Sequence, residues 1–394
     1  MRNLSEGWVK LVTNHLIRFG YFSQRCSTDK LFQMNPNSEW LSLTDEKTID
    51  PLLTICDPHH HLWSNRPDSL PSTYLLDHFL SDILTGEHNI VSSVFIECGT
   101  MFSTDGPVDL RPVGETQFAN DIATKSVSGL YGPTRVAAGI VGTAFLNTGD
   151  RVASVLDAQL EAGGDRFKGI RQAAARDDDP SVPDHRTCPR QGLYTDRTFQ
   201  EGFAHLAPRN LSFEGWCYHP QIPELTELAS AYPDTTIILD HFGGPLGVGR
   251  YTDSPDDVFA ESCKAIGPLS ERPNVYGKLG GMNMEINGFD WHTRTKPPGS
   301  EELLTATRRY YDHTIDLFGT DRCMFESNFP VDRISCSYNV LWNAFKKLTV
   351  TYSPAERLQL FHDTAVKVYR LSRASPAKPN IHTSSSALNS AGGV

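Results

Sequence analysis

The sequence predicts a single-domain (β/α)8 barrel (TIM barrel), and three observations carry that prediction. Short apolar runs recur eight times between residues 52 and 325. Polar, helix-compatible segments separate them, the alternation that builds a parallel sheet with crossover connections. Nearly every run ends on a residue able to do chemistry, as the C-terminal strand ends of such a barrel do. A doubly wound sheet is the competing architecture, but no Gly-rich GxGxxG turn follows the first run.

The runs in order are these. Leu52–Cys56 ends at Asp57, and Val91–Ile96 ends at Glu97. Val136–Val141 ends at Gly142, Phe167–Ile170 at Arg171, and Leu211–Tyr218 at His219. Thr236–Leu239 ends at Asp240 and His241, and Val275–Tyr276 reaches Lys278. Cys323–Phe325 leads into Glu326, Ser327 and Asn328. Between them, Val152–Ala162, Glu224–Ala231 and Glu302–Phe318 carry apolar residues at helical spacing. Ala173–Asp196 is rich in Asp, Pro and Arg without periodicity, and reads equally as a lid or as a disordered insertion. We place an N-terminal extension over 1–48, the barrel over 49–372 and a disordered tail over 373–394. That tail offers too little apolar surface to offset its ordering entropy.

Composition narrows the functional classes. The 394 residues carry 36 Lys+Arg against 47 Asp+Glu, a net charge of -11. An acidic surface argues against nucleic acid or anionic membrane as a partner. No apolar run reaches the roughly 18 residues of a membrane span. The N-terminus lacks the apolar core of a secretory signal. Eight cysteines include no CxxC pair, and four of them (Cys56, Cys98, Cys217 and Cys323) lie in or beside strand-like runs. They read as small buried hydrophobes rather than disulfides or zinc-ribbon ligands. The expectation is a cytoplasmic protein acting on a small molecule, with self-association left open.

The first strand carries the strongest chemical signal, Asp57-Pro58-His59-His60-His61-Leu62-Trp63. Residues two apart on an extended chain point the same way. His59 and His61 therefore aim two imidazoles at one point, and His60 faces away. Imidazole nitrogen suits zinc and related divalent ions. His219 reads as a third ligand, a substrate contact or a hydrogen-bonded turn residue. His241 follows a buried strand directly, with Gly243 and Gly244 allowing close backbone approach. Lys278 is placed to polarise a carbonyl or bind a carboxylate. Arg171 is able to grip a carboxylate bidentately or to form a rim ion pair. Glu97 reads as an imidazole partner or a salt-bridge partner. Asn328 donates and accepts hydrogen bonds but is a poor general base.

These stretches resemble one family. CDPHHHLW, VFIECG, FKGIRQ, LDHFGGP, NVYGKLGG, FGTDRCMFESNFPVD and LFHDTAVKVYRL are similar, in order and strand-end placement, to the amidohydrolase-2 group. The likeness runs from about Ser38 to Leu371. The group's members include sugar lactonases, pyrone dicarboxylate lactonases and, more distantly, decarboxylases. The resemblance implies a metal-capable barrel with His59 and His61 on strand one, His219 on strand five and His241 on strand six. Much of the wider family carries a strand-eight aspartate that takes the proton from the attacking water. Asn328 stands there, which leaves the base and the full metal coordination open.

The leading expectation is a hydrolase opening a lactone or related cyclic ester. Either a divalent ion, zinc by preference, or the cations Lys278 and Arg171 alone would stabilise the oxyanion. The base would be His241, Asp240 or Asp332, with Trp63, Arg171, Glu97 and His219 around the substrate. The runner-up is a decarboxylase or C–C lyase, which needs no water-activating aspartate. A third reading is a barrel that has lost its chemistry and binds a ligand.

Overall fold

A computed structural model describes residues 37–66, 69 and 71–372. The first 36 residues and the tail from 373 lie outside the described residues, so the expectations placed on them stand there as stated.

Eight parallel strands run in sequence order, each hydrogen-bonded to the next. They are β1 (Thr54–His60), β2 (Asn89–Ile96), β3 (Arg135–Thr143), β4 (Phe167–Arg171), β5 (Ser212–Gly215), β6 (Ile237–Leu239), β7 (Val275–Leu279) and β8 (Cys323–Phe325). The ring closes at its C-terminal rim. There the His61 amide donates to the Phe329 carbonyl at 2.8 Å, and the Asn328 amide donates to the His59 carbonyl at 2.9 Å. One longer helix follows each strand: α1 (Leu76–Thr85), α2 (Val113–Ser126), α3 (Val152–Gly163), α4 (Arg197–Phe203), α5 (Ile222–Ala231), α6 (Pro255–Ser270), α7 (Ser300–Phe318) and α8 (Tyr338–Leu348). This is the (β/α)8 barrel that the alternation predicts. No helix among the described residues is long and apolar enough to cross a membrane.

The alternation of side chains along each strand builds two cores. Outward residues such as Ile55, Phe95, Ile140, Ile170, Phe213, Ile237, Leu279 and Phe325 pack against the helices. Inward residues near the N-terminal ends (Cys56, Val94, Ile238 and Met324) form a separate apolar plug with Ala365, Val368, Tyr369 and Leu371 of the C-terminal segment. That plug closes the bottom of the barrel and leaves chemistry to the top.

Two expectations on boundaries shift. β1 runs through His60 instead of stopping at Cys56, so His59 and His60 belong to the strand itself and His61 follows it directly. β5 stops at Gly215, three residues short of the apolar run. Beyond it the Trp216 carbonyl accepts from the Ala174 amide at 2.8 Å, and the Trp216 ring lies against His241.

Residues 37–50 are tied to the barrel wall. Glu46 accepts from the Ser300 amide at 2.7 Å and from Asn343 Nδ2 at 3.2 Å. Lys346 Nζ donates to the Ile49 and Asp50 carbonyls at 2.9 Å each, and to His88 Nδ1 at 2.8 Å. Burial, then the Lys346 charge, pushes the His88 imidazole down to about 3. The sign follows from linkage. Below pH 6.5 an unfolded His88 takes a proton that the folded one refuses, so this contribution is present above pH 6.5 and lost as pH falls. Between pH 6.5 and 5 the loss is roughly 2 kcal/mol. We therefore expect His88→Gln to narrow the stability gap between pH 7 and pH 5 by that amount, read from urea unfolding. An unchanged gap would refute the assignment.

Candidate active site

Inward residues at the strand ends converge inside the barrel mouth. β1 and the residue after it give His59 and His61, β4 Arg171, β5 Glu214, β7 Lys278, and the turns after β6 and β8 give Asp240, His241 and Glu326. All are buried. His59 Nε2 and His61 Nε2 lie 3.2 Å apart. Two nitrogens each bound at about 2.0–2.1 Å to one tetrahedral zinc lie about 3.3–3.4 Å apart. His61 Nδ1 sits 2.8 Å from the Ile96 carbonyl, which calls for the proton on Nδ1 and leaves Nε2 as a lone pair. His60 faces outward, stacked on Phe79 with ring centroids 4.2 Å apart.

His241 is held from two sides. Its Nδ1 lies 2.6 Å from Glu326 Oε1, so the proton sits there and Nε2 is free. Its ring rests on Trp216, centroids 4.8 Å apart. His241 adopts a left-handed backbone (φ 53°), an uncommon state for a residue with a side chain. Gly281 explains the room for it: a Cβ there would come within 2.3 Å of His241 Nδ1. His59, Asp240 and His241 each offer a donor atom within 4.8 Å of the others.

The charges beneath these imidazoles neutralise one another. Lys278 Nζ donates to Glu214 Oε2 at 2.6 Å and lies 3.3 Å from Asp240 Oδ1. Arg171 bonds the Glu97 carboxylate through Nε at 2.7 Å and the Glu97 carbonyl through Nη2 at 2.6 Å, and its Nη1 lies 3.4 Å from Asp240. Burial pushes Glu214 well above the usual carboxylate range, and Tyr369 donates to its other oxygen at 2.5 Å. Burial opposes ionisation of Asp240 as well. There Lys278, then a hydrogen bond with Glu214, His241 and Arg171, hold it ionised below the usual range. His59 and His61 are driven well below an ordinary imidazole, by burial first and then by Lys278 and Arg171 respectively. Both are free bases at neutral pH.

The structure relocates several expected roles. Arg171 is not available to grip a substrate, because Glu97 and Asp240 occupy its guanidinium. Lys278 is fully buried among carboxylates and does not present its ammonium at the mouth. Glu97 pairs with Arg171, and with Arg186 at 2.5 Å, not with an imidazole. His219 is not brought to the cluster. Its Nδ1 accepts from the Leu246 amide at 3.4 Å and its Nε2 lies 3.4 Å from Glu261, an exposed carboxylate. The inward residue of β5 is Glu214, two positions before Trp216, where the strand still runs. Trp63 is fixed by its indole N–H on the Pro71 carbonyl at 2.8 Å, its ring 6.2 Å from that of His61. Asn328 donates from Nδ2 to Asp332 Oδ1 at 2.8 Å. Asp332 also accepts from the Asn283 amide and side chain, and burial pushes it up to about 7. An amide suits position 328, because two carboxylates at this separation could not both ionise.

Glu214 was missed in the sequence, and Asp57 and Glu326 were placed at run ends but given no role. Glu214 and Glu326 show as inward positions only once the strand register is known, although Met324 and Glu326 share a face by spacing. Asp57 accepts from the Ser327 amide at 3.0 Å and from Tyr338 Oη at 2.9 Å, locking β1 to the turn after β8. The long segment Ala173–Asp196 is not a loose insertion. Ala173–Ala175 and Val182 are buried with Trp216 and Tyr218, and Arg186 reaches Glu97.

Comparison with known proteins agrees with this architecture. The chain is 33% identical over 342 residues to the uncharacterized protein y4mH of Sinorhizobium fredii, covering 81% of this chain and 99% of that one. It is 26% identical over 184 residues to an L-fucono-1,5-lactonase of Burkholderia multivorans, covering 46% of this chain and 59% of that one. A crystal structure of an amidohydrolase from Burkholderia multivorans with bound zinc superposes with a TM-score of 0.62 at 22% identity, over 81% of this chain and all of that one. The amidohydrolase family model matches residues 134–371. With more than half of its length matched and the barrel in place, the chain belongs to the amidohydrolase family.

Proposed function

We propose that the protein is a hydrolase that opens a lactone or related cyclic ester, with a divalent ion, zinc by preference, held by His59, His61 and Asp240. The observation that carries this reading is the donor set. Two imidazole nitrogens face each other at 3.2 Å, and beside them Asp240 Oδ1 and Glu326 Oε2 are buried without a hydrogen bond. Glu326 Oε2 lies 2.8 Å from His59 Nδ1 but out of line for one. Without a cation, His59 must carry its proton on Nε2 to bridge to His61. Arg171 Nη1 then faces that N–H at 3.3 Å, donor against donor. A bound cation removes the conflict and adds a ligand for Asp240 Oδ1, whose one near cation is Lys278 Nζ at 3.3 Å.

Such an ion supplies Lewis-acid polarisation of the ester carbonyl and a lowered pKa for water. The chain's own residues do the rest. His241, oriented through Nδ1 by Glu326, presents Nε2 as the base that takes the proton from attacking water. Lys278 and Arg171 keep Asp240 ionised. The relatives support a lactone as the substrate class, since one of them is named a lactonase. Metal analysis of purified protein by mass spectrometry, run beside a lactone panel, tests the proposal. About one zinc or manganese per chain, with lactone opening, is expected. A metal-free protein that turns over lactones would sink the metal assignment, and release of carbon dioxide would replace hydrolysis by decarboxylation.

A further inference from the structure

Three consecutive residues at the end of β2 organise the mouth of the barrel. The Ile96 carbonyl fixes His61, the Glu97 carboxylate holds Arg186, and the Cys98 carbonyl accepts from Arg66 Nη2. The two arginines arrive on different loops, Arg66 after β1 and Arg186 within Ala173–Asp196. Arg66 is bonded at Cys98 and Arg186 lies against Gly99, so the two guanidinium groups reach neighbouring residues of the same strand end. Gly99 makes the approach possible, because a Cβ there would meet Arg186 Nε at 2.8 Å. Arg66 lies over Trp63, 4.6 Å from the ring centroid, so it is preorganised.

Among the described residues, no carboxylate lies within ion-pair distance of Arg66. Glu97 is the one carboxylate that Arg186 reaches, and it already serves Arg171. Arg186 is 36% exposed and Arg66 is half-buried, so solvent and a ligand can reach both. Two cations held side by side, one without an anion, next to the ring that carries a candidate metal ligand, make a site for a bidentate anion.

We propose that Arg66 and Arg186 form a carboxylate-binding subsite beside His61, so that the substrate is an anionic cyclic ester and not a neutral sugar lactone. This rests on His59 and His61 marking the reactive centre. It transfers to Arg66 and Arg186 the role that the sequence suggests for Arg171.

Titration calorimetry of the full chain with isophthalate and its neutral diamide tests the subsite without requiring turnover. Isophthalate is expected to bind and the diamide not, with binding weakened by salt. Arg66→Met and Arg186→Met should each weaken isophthalate by about tenfold or more, with melting curves like the parent's. Arg186→Lys, which keeps the charge but loses the fork, should fall between and serves if Arg186→Met does not fold. Equal binding of the diamide, no binding of isophthalate, or parent-like binding in both Met variants would overturn the subsite. Binding lost on metal removal but indifferent to both arginines would also overturn it, by assigning the carboxylate to the metal. A protein that binds isophthalate through these arginines yet opens no lactone would instead count against the lactonase reading alone.

Discussion

Replacing His59 and His61 together by Asn is expected to remove both bound metal and turnover while leaving the barrel folded. The two Nε2 atoms, 3.2 Å apart, are the best-placed lone pairs in the mouth, and without them Asp240 and His241 are the donors left of the set. Lewis-acid assistance is worth several kcal/mol. At about 1.4 kcal/mol per decade, turnover should fall by about three orders of magnitude or more. The fold should survive because the apolar plug below and the helix layer outside do not depend on these rings. Metal content, far-UV circular dichroism and initial rates on one preparation decide it. Normal rates in a folded double variant would refute the assignment.

Lys278→Met is expected to give the largest loss of stability. Lys278 is fully buried between Glu214 and Asp240, at 2.6 and 3.3 Å. Removing one partner of a buried ionic group leaves uncompensated charge and costs about 3–5 kcal/mol. Much of that cost lies in Asp240, which Lys278 helps to keep ionised, so combining Lys278→Met with Asp240→Asn should recover a large part of it. Urea unfolding of the parent, both single variants and the double variant gives the coupling directly. A Lys278→Met protein as stable as the parent would mean that the carboxylates share a proton and need no cation. The same variants separate the two roles suggested for Lys278. A lysine that polarises the substrate would be needed for turnover but not for stability, whereas a buried counter-ion is needed for both.

The sequence alone determined the fold class, because strand and helix periods differ and all eight apolar runs kept theirs. Val152–Ala162 and Glu302–Phe318 fall within α3 and α7, and β2 and β4 lie within two residues of their runs. It also brought two imidazoles together, since period-two spacing forces His59 and His61 onto one face whatever surrounds them. What it could not decide is which charged residue meets which. Arg171 and Lys278 look free at strand ends because a sequence does not show the carboxylates across the barrel. Glu97, Glu214 and Asp240 come from other strands, and only closure of the ring brings them within hydrogen-bond distance. His219 meets the Leu246 amide and Glu261 for the related reason that an apolar run does not mark where a strand stops pairing. The pairing of Arg66 with Arg186 was invisible for the same cause: 120 positions apart in the chain, they meet only because β2 ends between the two loops that carry them.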